Sequence, residues 1–168
     1  MSERSGELCW LVDASVLINL LCMPCPEKVL AALQAPVVAT PMVLGRRAWA
    51  GERSGRGGWG AAGLERCPSV EGASVLAVAA SRGWPCLIDE RKATRLAAAQ
   101  RPPVVTLSTV ALLRRAAGLT LTEAETLACL TDALRDARMR VAHEHYDWVV
   151  ERIGAEYLGM FPSLKQRR

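Results

Sequence analysis

The chain has 168 residues, enough for one domain with a full core, and 51% of them are hydrophobic. Its net charge of +4, with Arg supplying 18 of 21 basic residues, permits a nucleic-acid partner without requiring one. No apolar run reaches the roughly 18 residues that span a bilayer, and Met1 to Glu7 carries both charge signs, so neither a membrane span nor a signal peptide is expected and the reading is a soluble cytoplasmic protein.

Cys9-Trp-Leu-Val12 is apolar without a period, as in a short strand buried on both faces. After Asp13 the pattern turns helical, with Val16, Leu17, Leu20 and Leu21 recurring at helical spacing and Ser15 near the start. Pro24 and Pro26 break that helix, and Glu27 to Gln34 restart it. Pro36 to Thr40 reads as a second buried strand, and Pro41 suits the start of a helix running to Ala50. Gly51 to Gly60 is too glycine-rich for a stable element. Residues 46 to 66 hold five Arg and two acids, and Trp49 and Trp59 lie close by, a pattern that suits contacts to phosphates and bases or a plain surface loop.

Ala73 to Ala80 predicts an apolar helix, Trp84 to Asp89 a third strand, Glu90 to Ala99 a helix, and Pro103 to Leu107 a fourth strand. Thr109 to Ala117 is helical and ends at Gly118. Thr122 and Glu125 form the capping-box pattern for a helix reaching about Arg138. A last helix is expected over His143 to Leu158, with its two histidines on the surface. Short apolar strands alternating with helices argue for an α/β fold with a parallel sheet and helices on both faces. No repeat or composition shift divides it, so a single domain over residues 9–158 is expected, with tails at 1–8 and 159–168.

The six cysteines (9, 22, 25, 67, 86, 129) follow no disulfide framework. Cys22-Met-Pro-Cys25 resembles half a zinc site or a redox pair, but nothing completes the former and the pair closes a helix rather than opening one. These are expected to be incidental thiols.

Two strands end in carboxylates, Asp13 and Asp89, and parallel strands bring such ends to one sheet edge, where α/β folds place ligands. Glu90 adjoins Asp89, and Glu71 stands ahead of the preceding helix. Each Asp also suits a helix cap. Clustered carboxylates repel unless a cation intervenes, and hard oxygen ligands suit Mg²⁺ or Mn²⁺, which polarise phosphoryl oxygens and activate water. There is no P-loop and no dinucleotide-binding glycine motif after a strand.

With these residues the chain resembles a PIN domain, the nuclease fold of many toxins in bacterial and archaeal toxin–antitoxin pairs. Val12-Asp-Ala-Ser-Val-Leu-Ile-Asn-Leu20 is similar to the family's strand and D-[TA]-S-x-L-I-x-L. Gly72-Ala-Ser-Val-Leu-Ala-Val-Ala-Ala80 and Leu87-Ile-Asp-Glu-Arg-Lys-Ala-Thr-Arg95 resemble its G-E-A-x-x-[LI]-x-L-A and L-[LI]-D-D-[RK]-x-A-R. The resemblance implies a single-domain PIN-like α/β fold, its parallel sheet of about four to five strands flanked by helices on both faces. It implies a Mg²⁺- or Mn²⁺-dependent endoribonuclease with Asp13 and Asp89 on the metal and Glu71 or Glu90 completing the cage. Ser15 would orient Asp13 or a water, and Arg46, Arg47, Arg53 and Arg56 would contact the RNA backbone. The expected partners are RNA, a small antitoxin protein and a second copy of the chain in a homodimer. The chain departs from the pattern at Arg47, which aligns with a family acid, and at Glu71, one residue early. The alternatives are a weakened or inactive PIN-like protein that binds RNA or a protein, and an interaction protein whose acids only cap helices.

Overall fold

In the computed structural model, which describes residues 8–40, 64–66 and 75–164, the apolar run ahead of Asp13 forms a buried strand, β1 (Trp10–Val12). There follow α1 (Ala14–Cys22), α2 (Pro26–Ala31), β2 (Val37–Ala39), β3 (Leu64–Arg66), α3 (Val75–Arg82), β4 (Cys86–Leu87), α4 (Arg91–Ala99), β5 (Thr106–Leu107), α5 (Thr109–Ala116), α6 (Glu123–Arg135) and α7 (Tyr146–Ile153). The five strands form one parallel sheet in the order β3-β2-β1-β4-β5, so the fold is α/β. Trp10 stands against Val37, Val12 against Leu87, and Leu87 against Leu107.

The chain divides into two compact units, Met1–Ala14 with Leu33–Leu107, and Ser15–Ala32 with Ser108–Arg168. In the first, α3 packs on β1 and β4 through Val75, Val78 and Ala79, all buried, and touches α4. In the second, α5 packs against α2 and α6, and α6 against α7. Leu112, Leu113, Leu130, Leu134 and Val149 are fully buried there. Among the described residues no helix is long and apolar enough to cross a membrane.

Three features differ from the sequence expectation. β3 was not anticipated, because Leu64-Glu65-Arg66 has no apolar run to mark it. The helix expected over His143 to Leu158 is in three pieces: a 3-10 turn (His143–His145), α7, and a 3-10 stretch (Ala155–Met160). Gly154 makes the second break with φ +91, a conformation that L side chains rarely adopt, and a Cβ there would lie 2.8 Å from Glu156 Oε1. The histidine turn makes the first break, and it holds the His145 ring in a largely buried position rather than at the surface.

The capping box forms as its spacing predicts: the Glu125 amide donates to Thr122 Oγ1 (3.2 Å) and the Thr122 amide donates to Glu125 Oε2 (2.9 Å). The Lys28 ammonium, with the Thr122 amide and hydroxyl, lowers the Glu125 pKa from 4.5 to about 2. Because the folded-state value is the depressed one, this contribution to stability is complete above the ordinary Glu range and is lost as pH falls from 4.5 towards about 2. An NMR pH titration should find Glu125 still ionised where exposed carboxylates are half protonated. Thr122→Ala should lower stability by about 1 kcal/mol in urea unfolding, the usual loss for an N-cap.

Candidate functional site

The order of the strands reverses between β1 and β4: β2 and β3 extend the sheet on one side of β1, and β4 and β5 on the other. Such a reversal opens a crevice beyond the carboxyl ends of the two central strands, the usual ligand position in open α/β sheets. Asp13 immediately follows β1, and Asp89 lies two residues beyond β4. The two strands run parallel with Val12 opposite Leu87, so both acids are delivered to one edge. The Asp13 amide donates to the Leu87 carbonyl (3.0 Å) and the Ile88 amide to the Leu107 carbonyl (2.9 Å), which extends both ladders to the threshold of the acids.

Asp89 precedes the N-cap position of the helix that follows it. α4 starts at Arg91 with Glu90 at the N-cap position, and the Glu90 side chain makes no capping hydrogen bond. Asp13 leaves an electrostatic mark on its neighbour: burial first, and then the Asp13 charge, push the Cys86 thiol up to about 12. Asp13, Asp89 and Ser15 each have interaction partners in the fold, and Ser15 lies in the first turn of α1.

The other expected site residues divide. Glu90 is beside Asp89 and exposed. Glu71, Arg46, Arg47, Arg53 and Arg56 lie outside the described residues. Among the described residues no group of three or more His, Cys, Asp or Glu could by itself hold a metal ion. What the edge provides is a pair of hard carboxylate donors. That suits an ion such as Mg²⁺, which is held by one or two carboxylates and otherwise by water and substrate phosphate.

Two features went unrecognised in the sequence. The first is the basic start of α4: Arg91, Lys92 and Arg95 are all exposed, and its first turn has no acid. Cations there oppose the helix dipole, which favours anions at an N-terminus. In the sequence the run Asp89-Glu-Arg-Lys carries this signal, its two bases directly following its two acids.

The second is Ser108, the N-cap of α5, whose Oγ accepts from the Ala111 amide (3.2 Å) and lies 3.3 Å from His145 Nε2. This is a capping contact rather than a nucleophile and its base. The opposite ring nitrogen, Nδ1, is buried without a hydrogen-bond partner, and Glu144 Oε1 approaches Nε2 (3.6 Å) on the side of Ser108, so among the described residues no acid holds Nδ1 as acyl-transfer chemistry requires. Asn19 and Thr109 form a further buried polar pair, Asn19 Nδ2 donating to Thr109 Oγ1 (3.1 Å).

No protein-family model, curated protein or solved structure matches the chain. The placement of Asp13 is open to direct measurement. Cys86 should resist alkylation at about pH 8.5, where an ordinary cysteine is half ionised. Asp13→Asn should lower its pKa while leaving it above the ordinary value, because burial remains. The pH dependence of Cys86 labelling, read by peptide mass spectrometry, checks both.

Proposed function

We propose that the chain is a metal-dependent ribonuclease of the PIN type, acting on RNA in the cytoplasm. The observation that carries this reading is the pair of carboxylates, Asp13 and Asp89, that follow the two strands flanking the reversal of the sheet. The strand–acid–helix blocks of the sequence support it, as does the basic start of α4.

In this reading Asp13 and Asp89 hold Mg²⁺ or Mn²⁺ at the sheet edge, with Glu71 or Glu90 as a further ligand. A bound divalent ion supplies charge stabilisation at a phosphoryl oxygen and a nucleophilic water at neutral pH. The protein's own share is placement. The β1–β4 ladder fixes the backbone at both acids, and Ser15, in the first turn after Asp13, orients the Asp13 carboxylate or a nearby water. Arg91, Lys92 and Arg95 draw the RNA backbone towards the edge, joined by Arg46, Arg47, Arg53 and Arg56. The resemblance extends the proposal to a toxin restrained by a small antitoxin protein and to a homodimer.

The test is cleavage of a single-stranded RNA in Mn²⁺ or Mg²⁺. Asp13→Asn and Asp89→Asn should each slow the reaction at least about 100-fold, the scale of losing one charge-stabilising group from a transition state. Replacing Arg91, Lys92 and Arg95 together by Ala should weaken binding and flatten its salt dependence by about 2 in slope, near 0.7 per phosphate contact on single strands. Cleavage that survives Asp13→Asn would overturn the proposal.

A second reading, a weakened nuclease that binds RNA, is favoured by the two-acid donor set of the described residues and by Arg47 at the position where the resemblance expects an acid. An always-charged guanidinium among metal carboxylates weakens cation binding. On that reading the wild type binds RNA in a salt-sensitive way with little cleavage, and Arg47→Glu raises both Mn²⁺ affinity and rate. Unchanged rates in Arg47→Glu would show that Arg47 lies away from the acids.

A further inference from the structure

The Cys22-x-x-Cys25 motif acquires an unexpected partner in the fold. Cys25 Sγ lies 3.5 Å from Cys129 Sγ, across 104 residues of sequence, and both side chains are buried. Cys25 occupies the N-cap position of α2, but its side chain makes no capping bond. Cys129 stands inside α6. One turn further along α2, Lys28 pairs with Glu125, which lies one turn back along α6 from Cys129. The ion pair and the thiol contact are therefore successive rungs of one helix–helix contact, and the first holds the second in register. Glu125 is in turn fixed by the capping box at the start of α6.

We infer that Cys25 and Cys129 form a buried oxidisable dithiol, a modification site that takes a small peroxide or disulfide oxidant and closes as an intramolecular disulfide. The sulfurs must move from 3.5 Å to the roughly 2.05 Å of an S–S bond, a change that side-chain torsions can supply when the helices are already in contact. With hydrogen peroxide, one sulfur attacks the O–O bond to give a sulfenic acid and one water. The second sulfur then displaces hydroxide from the first, and a second water leaves. Two thiols lose two electrons in all, and the peroxide is reduced to two waters.

The pair is guarded at rest. Burial raises the pKa of both thiols, that of Cys129 to about 12, so the reactive thiolate is scarce until α2 opens locally. α2 has only six residues, and Pro24 and Pro26 flank Cys25, so local opening at this end breaks few helical hydrogen bonds. Cys22 is more exposed than either, but the bond that closes joins Cys25, at the start of α2, to Cys129 in α6.

The test uses the full chain, treated with hydrogen peroxide or a disulfide reagent, digested without reduction and mapped by mass spectrometry. The wild type and Cys22→Ser should both yield the Cys25–Cys129 cross-linked peptide, and Cys25→Ser should not. Because the link closes a loop of 104 residues in the native register, the oxidised wild type should melt roughly 5–15 °C higher than the reduced protein, reversibly on reduction. A Cys22–Cys25 bond, or oxidation elsewhere with Cys25 and Cys129 still free, would overturn the inference. A Cys25–Cys129 link that leaves melting unchanged or lowers it would also do so, by showing that the bond forms outside the native contact. The wild-type map decides the matter without relying on a variant that folds.

Discussion

The candidate site depends on the pairing of β1 with β4. Only Leu11 with Cys86 and Val12 with Leu87 are in register, and hydrogen bonds from the Leu11 amide to Pro85 O and from the Asp13 amide to Leu87 O flank them. Strands this short have little ladder to hold them, so burial must fix the register. Leu11, Val12, Cys86 and Leu87 are all fully buried. A slip of one residue would reverse which face each of these side chains occupies and would move Asp13 along the edge relative to Asp89. Apolar packing thus sets the position of a polar site, and the charge of Asp13 is felt at Cys86 within the same ladder.

The helical unit is specified differently. Its core is aliphatic, but polar contacts inside or beside that core choose among the ways such helices could pack. Asn19 donates to Thr109 between α1 and α5, Lys28 pairs with Glu125 between α2 and α6, and Arg152 pairs with Glu123 between α7 and α6. A surface ion pair contributes little by itself. A buried amide left without its hydroxyl partner costs more, by the desolvation penalty of the unsatisfied group. The Asn19–Thr109 bond is a buried polar constraint of this kind.

Four strands were legible because each is an apolar run bounded by Pro, Gly or an acid, although their ladders are shorter than the runs. Pro103 has no amide to donate, and the Val104 amide bonds back to Ala97, so pairing along β5 starts only at Thr106. β3 was illegible because two of its three residues are charged. The break at Gly154 was in view, but a glycine inside a helical pattern is tolerated at about 1 kcal/mol, so only the backbone angle reveals it. Asp13 and Asp89 were legible because an acid between a buried strand and a helix is a local pattern. The Cys25–Cys129 and Ser108–His145 contacts were not, since each joins residues far apart in sequence and no local pattern marks such pairs.

The central claim is that the reversal of strand order between β1 and β4 brings two acids together as a hard-cation site. Substoichiometric Mn²⁺ added to the isotopically labelled protein tests it most directly, through paramagnetic broadening of backbone amides. The account predicts that broadening begins at Asp13, Ile88 and Asp89, that Mg²⁺ competes it away, and that Asp89→Asn weakens it. Broadening centred elsewhere, or left unchanged by Asp89→Asn, would contradict the account.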